Sequence, residues 1–214
     1  MEMTMQKALI ITAHVEHLEY LDLDLDQFDA IICADGGLLI ADKLDLSPTH
    51  LIGDYDSMEM PEDSSAGIIK LPMEKDMTDT EAAVDMAVSL GFEHVTVLGG
   101  LGGRFDHTMG NLGVMAKYCE ELPYLALIDG QNYVRMVGPG HYELPKNPYK
   151  YLGVISYGDF AEMVTLRGVK YPLEDHFLTH DTSLGVSNEI TSDAAEISFR
   201  SGKLLIILSK DIDK

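Results

Sequence analysis

Short apolar runs recur through the first two-thirds of the chain, and most of them lack polar interruption. Residues 8–13, 30–34, 94–98 and 124–129 are of this kind, with a shorter run at Leu51-Ile52. Continuous apolar runs rich in β-branched residues suit strands buried on both faces, as in a parallel sheet. Residues 68–71 and 133–137 read as further strands. Between the runs the spacing turns helical: over 38–44, ahead of Pro48; from an N-cap at Thr78 to about residue 90, closed by Gly91; and over 106–121. Strands alternating with helices predict an α/β domain with a parallel sheet. Beyond Gly138-Pro139-Gly140 the helical spacing disappears. Residues 149–157, 162–166, 195–199 and 204–208 read as strands, with Ser201-Gly202 as a hairpin turn between the last two. The expectation is an α/β domain over 1–137 and a small all-β domain over 138–214.

Charge changes the picture most. The 214 residues include 36 acidic and 15 basic side chains, a net charge of −21. A nucleic-acid surface needs clustered Lys and Arg, and no such cluster stands in the sequence. The same charge argues against docking on anionic membranes. An acidic protein that handles phosphates needs metal ions and a few well-placed cations. Cys33 and Cys119 have no metal-like spacing and read as buried free thiols. The first seven residues carry no signal-peptide pattern, and no apolar run approaches the roughly 18 residues of a membrane helix, so the expected compartment is the cytoplasm. Asp22, Asp24 and Asp26 alternate with Leu21, Leu23 and Leu25, the pattern of a solvated connection with its leucines turned inward.

Several segments carry candidate chemistry. Asp54 and Asp56 follow the third apolar run, in Gly53-Asp54-Tyr55-Asp56-Ser57. Residues two apart near a strand point to one side, and two adjacent carboxylates call for a cation or proton between them. Mg²⁺ takes one or two carboxylates plus phosphate oxygens; an acidic turn is the other reading. Asp35-Gly36-Gly37 lies between a strand and a helix, the layout of a ligand-binding turn or of a tight turn needing positive φ. Thr78 and Glu81 fit a capping box, whereas Asp76 and Asp79 suit either the helix dipole or a metal, and Lys75 beside them could meet a phosphate. Gly99-Gly100-Leu101-Gly102-Gly103 runs into Arg104 and a helix start, an anion site in layout. It matches neither the phosphate loop with Gly-Lys-Ser/Thr nor the dinucleotide fingerprint, because position 105 is Phe. Arg104 would supply a bidentate fork. Asn111 lies one turn beyond His107 and shares its face, while His107 itself reads as a polar residue near the helix start.

Taken in order, Ala34-Asp35-Gly36-Gly37, Gly53-Asp54-Tyr55-Asp56-Ser57, Lys75-Asp76-Met77-Thr78-Asp79 and Gly102-Gly103-Arg104-Phe105-Asp106-His107 with Asn111 resemble the thiamine pyrophosphokinases. Leu166-Arg167-Gly168-Val169-Lys170-Tyr171-Pro172-Leu173 and Gly185-Val186-Ser187-Asn188-Glu189 extend the match into the second domain. The resemblance implies a Rossmann-like nucleotide-binding domain, a β-sandwich-like thiamine-binding domain, and a homodimer with thiamine near the subunit interface. It implies that Asp54, Asp56, Asp76 and Asp79 hold Mg²⁺ and the ATP phosphates, and that Ser187 and Asn188 contact thiamine. Some family members place a tryptophan near the thiamine rings, and this chain has none.

The chemistry so implied is attack by the hydroxyethyl oxygen of thiamine on the β-phosphorus of ATP, with AMP leaving. Asp54, Asp56 and Asp76 would hold Mg²⁺, while Lys75, Arg104 and the amides of Gly102 and Gly103 neutralise charge. Asp35, Gly36 and Thr78 would bind substrate. Asp106 and Asp79 are both candidates for the general base. Rival readings are diphosphate transfer to another alcohol such as a hydroxymethylpterin, metal-dependent nucleotide hydrolysis, and a nucleotide sensor without catalysis.

Overall fold

The uninterrupted apolar runs become the centre of a parallel sheet. The computed structural model describes residues 6–53, 67–70 and 76–212, and the chain divides into two compact units, residues 1–130 and 131–214. The first unit holds β1 (Lys7–Ile11), β2 (Ala30–Ala34), β3 (His50–Gly53), β4 (Gly67–Lys70), β5 (His94–Leu98) and β6 (Tyr124–Ile128). They lie in the order β4-β3-β2-β1-β5-β6, with every neighbouring pair parallel. Leu9, Ile10 and Ile11 of β1 are fully buried, as a strand covered on both faces requires. Each such side chain contributes about 1.5–3 kcal/mol by leaving water.

Among the described residues three α-helices connect these strands: α1 (Gly37–Lys43), α2 (Asp79–Ser89) and α3 (Phe105–Tyr118). Thr78 caps α2, its Oγ1 accepting the Glu81 N–H at 3.1 Å. Glu81 directs its carboxylate to Lys117 of α3 at 3.3 Å, and Lys117 also reaches Asp85 at 3.2 Å. These bonds tie α2 to α3. Between β1 and β2, Leu21, Leu23 and Leu25 are half-buried and the intervening aspartates are exposed, as the alternation predicted. Cys33 is buried in β2, where desolvation, aided by Asp42, pushes its thiol up to about 12. Cys119, at the end of α3, is only partly covered. None of the described helices is long and apolar enough to cross a membrane.

The second unit begins earlier than the Gly138-Pro139-Gly140 break suggested. β7 (Asn132–Val137) belongs to it, pairing antiparallel with β13 (Leu204–Ser209), which pairs in turn with β9 (Tyr151–Ser156). A second antiparallel sheet has the order β11-β10-β12-β8, from β8 (Gly140–Pro145), β10 (Phe160–Arg167), β11 (Leu173–Thr179) and β12 (Ala194–Phe199). Leu152, Val154, Leu204 and Ile206 from one sheet share a core with Val164, Leu166, Ile197 and Phe199 from the other, which makes the unit a sandwich. The expected hairpin at Ser201-Gly202 is a crossing instead: β12 and β13 lie in different sheets. Gly202 has φ +88°, and a Cβ there would stand 2.2 Å from the Phe160 carbonyl oxygen.

Candidate functional site

The chain leaves β1 for β2, β3 and β4 on one side, then returns to add β5 and β6 on the other. The carboxyl ends of β1 and β5 therefore diverge at a switch in strand order, the place where open α/β sheets bind ligands. A cleft of about 500 Å³ opens there. Thr12, Ala13 and His14 after β1, Asp35 after β2, the start of α2 from Met77 to Thr80, and residues 100–104 before α3 line it, with His107 and Asn111 of α3.

Of the residues singled out from sequence, Asp35, Thr78, Asp79, Gly102, Gly103, Arg104 and Asn111 meet in this cleft. Gly36, Asp76 and Asp106 stand in the same segments without lining it. Asp54, Asp56 and Lys75 lie outside the described residues. Ser187 and Asn188 belong to the second unit.

Asp35 takes a left-handed conformation, φ +49°, and donates its N–H to the Ile52 carbonyl at 2.8 Å. That bond carries the β2–β3 ladder one residue past β2, and the left-handed conformation of Asp35 then turns the chain. Gly36 allows a close approach, since a Cβ there would lie 3.0 Å from that of Ala13. The glycine loop is left-handed at Gly99, Gly100, Gly102 and Gly103. Asn111, 5 % exposed, braces it by donating its amide to the Gly100 carbonyl at 2.8 Å. It lines the cleft, and its NH₂ group serves the loop.

Arg104 and Asp106 form a forked pair, with Nε to Oδ1 at 3.2 Å and Nη2 to Oδ2 at 2.6 Å. Asp106 Oδ1 also accepts the His107 N–H at 3.0 Å. The Arg104 hydrogen bond holds the Asp106 carboxyl below the usual carboxylate range, against a smaller opposing effect of desolvation. The same pair raises the guanidinium further above its ordinary value. Asp106 is thus a weakly basic carboxylate turned to Arg104, whereas Asp79 lies in the cleft.

Among the described residues no three acidic, histidine or cysteine side chains converge as a metal cage. Asp79 in the cleft and the exposed Asp76 three residues before it are the described members of the acidic set. Their oxygen-only chemistry fits a hard cation that keeps part of its water.

In the second unit Ser187 is exposed with φ +59°. Asn188 is 3 % exposed, and its amide is held by the backbone: Oδ1 accepts the N–H groups of Tyr171 and Glu189, each at 2.9 Å, and Nδ2 donates to the Tyr171 carbonyl at 2.8 Å.

His14 and Glu16 were not singled out from sequence. Their only signal was position, just past the first buried strand. His14 Nε2 and Glu16 Oε1 are 2.9 Å apart, and the same carboxylate oxygen accepts the Gly103 N–H at 3.3 Å.

Comparison with known proteins bears on both units. Residues 21–125 match the family described as thiamin pyrophosphokinase, catalytic domain, and residues 141–204 match its vitamin B1 binding domain. Thiamine pyrophosphokinase of Bacillus subtilis is 31% identical over 192 residues, 87% of this chain and 90% of that one. Thiamin pyrophosphokinase 1 of Caenorhabditis elegans is 31% identical over 169 residues, 74% and 68% of the two chains. Among solved structures, the Bacillus subtilis enzyme superposes with a TM-score of 0.84 at 27% identity, covering 97% of this chain and all of that one. A thiamin pyrophosphokinase family protein from Enterococcus faecalis gives 0.86 at 30%, with the same coverage.

Proposed function

We propose, from the premise that this chain belongs to the thiamine pyrophosphokinase family, the following division of labour in transferring a diphosphate from ATP to thiamine. The observation that carries it is the cleft at the strand-order switch, where a glycine loop, an arginine and the acidic start of α2 converge. The first unit holds ATP, with its phosphates along residues 100–104. Backbone amides of the loop other than that of Gly103, whose N–H donates to Glu16, and the Arg104 guanidinium meet phosphate oxygens; the guanidinium has five N–H donors and uses two on Asp106. Asp35 and Thr78 border the bound nucleotide, and Gly36 belongs to the same turn as Asp35.

Of the four acids implied to hold Mg²⁺, Asp54, Asp56 and Asp76 are the residues that would hold it in this division of labour, and Asp79 is kept for the proton. When bound, the ion would neutralise phosphate charge and help keep the diphosphate in line with its acceptor. The hydroxyethyl oxygen of thiamine forms a bond to the β-phosphorus as the bond to the α-phosphate oxygen breaks, and AMP departs. The hydroxyl proton goes to a carboxylate, and Asp79 is better suited than Asp106, whose basicity Arg104 depresses. Lys75, next to Asp76 in the sequence, would add positive charge for the phosphates. The second unit binds thiamine through the segment containing Ser187 and Asn188. Two copies assemble as a dimer with the vitamin near their interface, and the protein works in the cytoplasm.

³¹P NMR of the purified protein with Mg²⁺ and ATP, with and without thiamine, tests the reaction. AMP and a new diphosphate ester appearing only with thiamine is the expected result. ADP or free phosphate appearing regardless of thiamine would replace it with nucleotide hydrolysis. Turnover only with another hydroxymethyl heterocycle would change the acceptor. Light scattering of the eluting protein tests the dimer.

A further inference from the structure

The segment that follows β1 is tied to the ends of β5 and β6, which are tied to each other. The Thr12 N–H donates to Leu98 O at 3.1 Å, the Gly99 N–H to Ile128 O at 2.8 Å, and the Gly130 N–H to Glu16 O at 3.0 Å. Thr12 Oγ1 lies 3.0 Å from His14 O and 3.2 Å from Leu98 O. The backbone under Glu16 is therefore fixed before its side chain is considered. From that base the carboxylate reaches the Gly103 N–H and His14 Nε2 with one oxygen.

The packing shows which side of the loop it occupies. A Cβ on Gly102 would stand 2.4 Å from Glu16 Cγ and 2.5 Å from its Oε1, so the side chain as placed packs directly against the glycine. His14 lines the cleft, whereas Glu16 does not. Gly102 and Gly103 are successive left-handed residues, at φ +72° and +60°. Glycine loses more conformational freedom than any other residue when fixed, so such a pair needs an external hold.

We propose that Glu16 is a positioning residue for the phosphate site: it takes the Gly103 N–H and holds the His14 imidazole, and so fixes the shape in which the glycine loop and His14 line the nucleotide cleft. The proposal rests on reading the cleft as the ATP site. His14 is the largest influence holding the Glu16 carboxyl below the usual glutamate range, with burial opposing and Gly103 assisting. The brace is thus ionised throughout the neutral range.

Glu16→Ala removes the acceptor, and Glu16→Gln keeps an oxygen at the same reach without the charge. Loss of a hydrogen bond to a charged group predicts that Glu16→Ala raises the KM for ATP roughly tenfold. The KM for thiamine and kcat should stay within about threefold, and Glu16→Gln should recover most of the ATP affinity. An unchanged or lowered KM for ATP in Glu16→Ala would overturn the proposal and mark Glu16 as a charge that repels phosphate. The wild-type protein supplies a test independent of turnover and of the alanine variant's folding. The Gly103 amide proton resonance should shift as pH falls through the Glu16 carboxyl titration, and that step should be missing in Glu16→Gln. A step that persists in Glu16→Gln overturns the brace. Failure of the wild type to use thiamine would strike the functional reading, whereas the Gly103 titration tests the brace alone.

Discussion

Three backbone groups converge on the Asn188 side chain, and that changes what its removal should do. Asn188→Ala leaves the Tyr171 and Glu189 groups without their partner in a buried setting, which costs roughly 2–3 kcal/mol. The thermal midpoint of the variant should fall accordingly, with any weakening of thiamine binding following from the loosened segment. A raised KM for thiamine at unaltered stability would instead make Asn188 a direct contact. In the first unit, Asp79→Asn should lower kcat by about 10²–10⁴, the range for a lost acid–base group, while Asp106→Asn should stay within about tenfold of wild type. The opposite ranking in steady-state rates would reverse the choice of base. The sign of the pH effect follows from the depressed Asp106 carboxyl. The Arg104 fork is present above that depressed value and opens only as pH falls through it, so an activity change near neutrality has another source. Asp35, Asp79, Gly102, Gly103 and Arg104 were picked out by residue type and setting, and the fold brings them to one cleft. That Asn111 and Asn188 hold backbone groups was not legible, since an amide side chain serves a loop or a ligand equally well until its partners are known.

Helix α2 begins where its capping residue predicts. Thr78→Ala should destabilise the protein by about 1 kcal/mol, read as a lower midpoint in urea with an unchanged slope. The other half of the expected capping box goes elsewhere, because Glu81 meets Lys117 on α3. Strands β1, β2, β5 and β6 were legible because burial on both faces leaves an unbroken apolar record. Strands β8 and β11 were not. Both are edge strands with largely exposed or half-exposed residues, and β11, Leu-Glu-Asp-His-Phe-Leu-Thr, reads as polar. The turn at Ser201-Gly202 was visible, but whether a turn closes a hairpin or carries the chain to another sheet depends on distant partners. Here those partners are β10 and β8 for one strand, β7 and β9 for the other.

At the scale of the whole molecule, strand order creates the cleft, and strand order is not a local property of sequence. His14 and Glu16 went unnoticed for that reason: nothing near them reveals that β5 would settle beside β1 and bring Gly103 within reach. Net charge acts at this scale too. With −21 on 214 residues, the folded chain repels itself. Raising ionic strength from about 0.01 M to about 0.15 M shortens the screening length from roughly 30 Å to 8 Å and should raise the thermal midpoint. A midpoint indifferent to sodium chloride would mean that local ion pairs such as Lys117 with Asp85 offset the repulsion.

The contrast between the two thiols offers a way to time the opening of one unit. Alkylating reagents attack the thiolate, and Cys33, buried with its thiol pushed up to about 12, is closed to them while the sheet is intact. Cys119 is partly uncovered, and both cysteines lie within the first 130 residues. The native protein should take one label readily and a second only when β2 separates from its neighbours. Counting labels by mass as denaturant rises would follow unfolding of the α/β unit specifically, since the sandwich carries no cysteine to report.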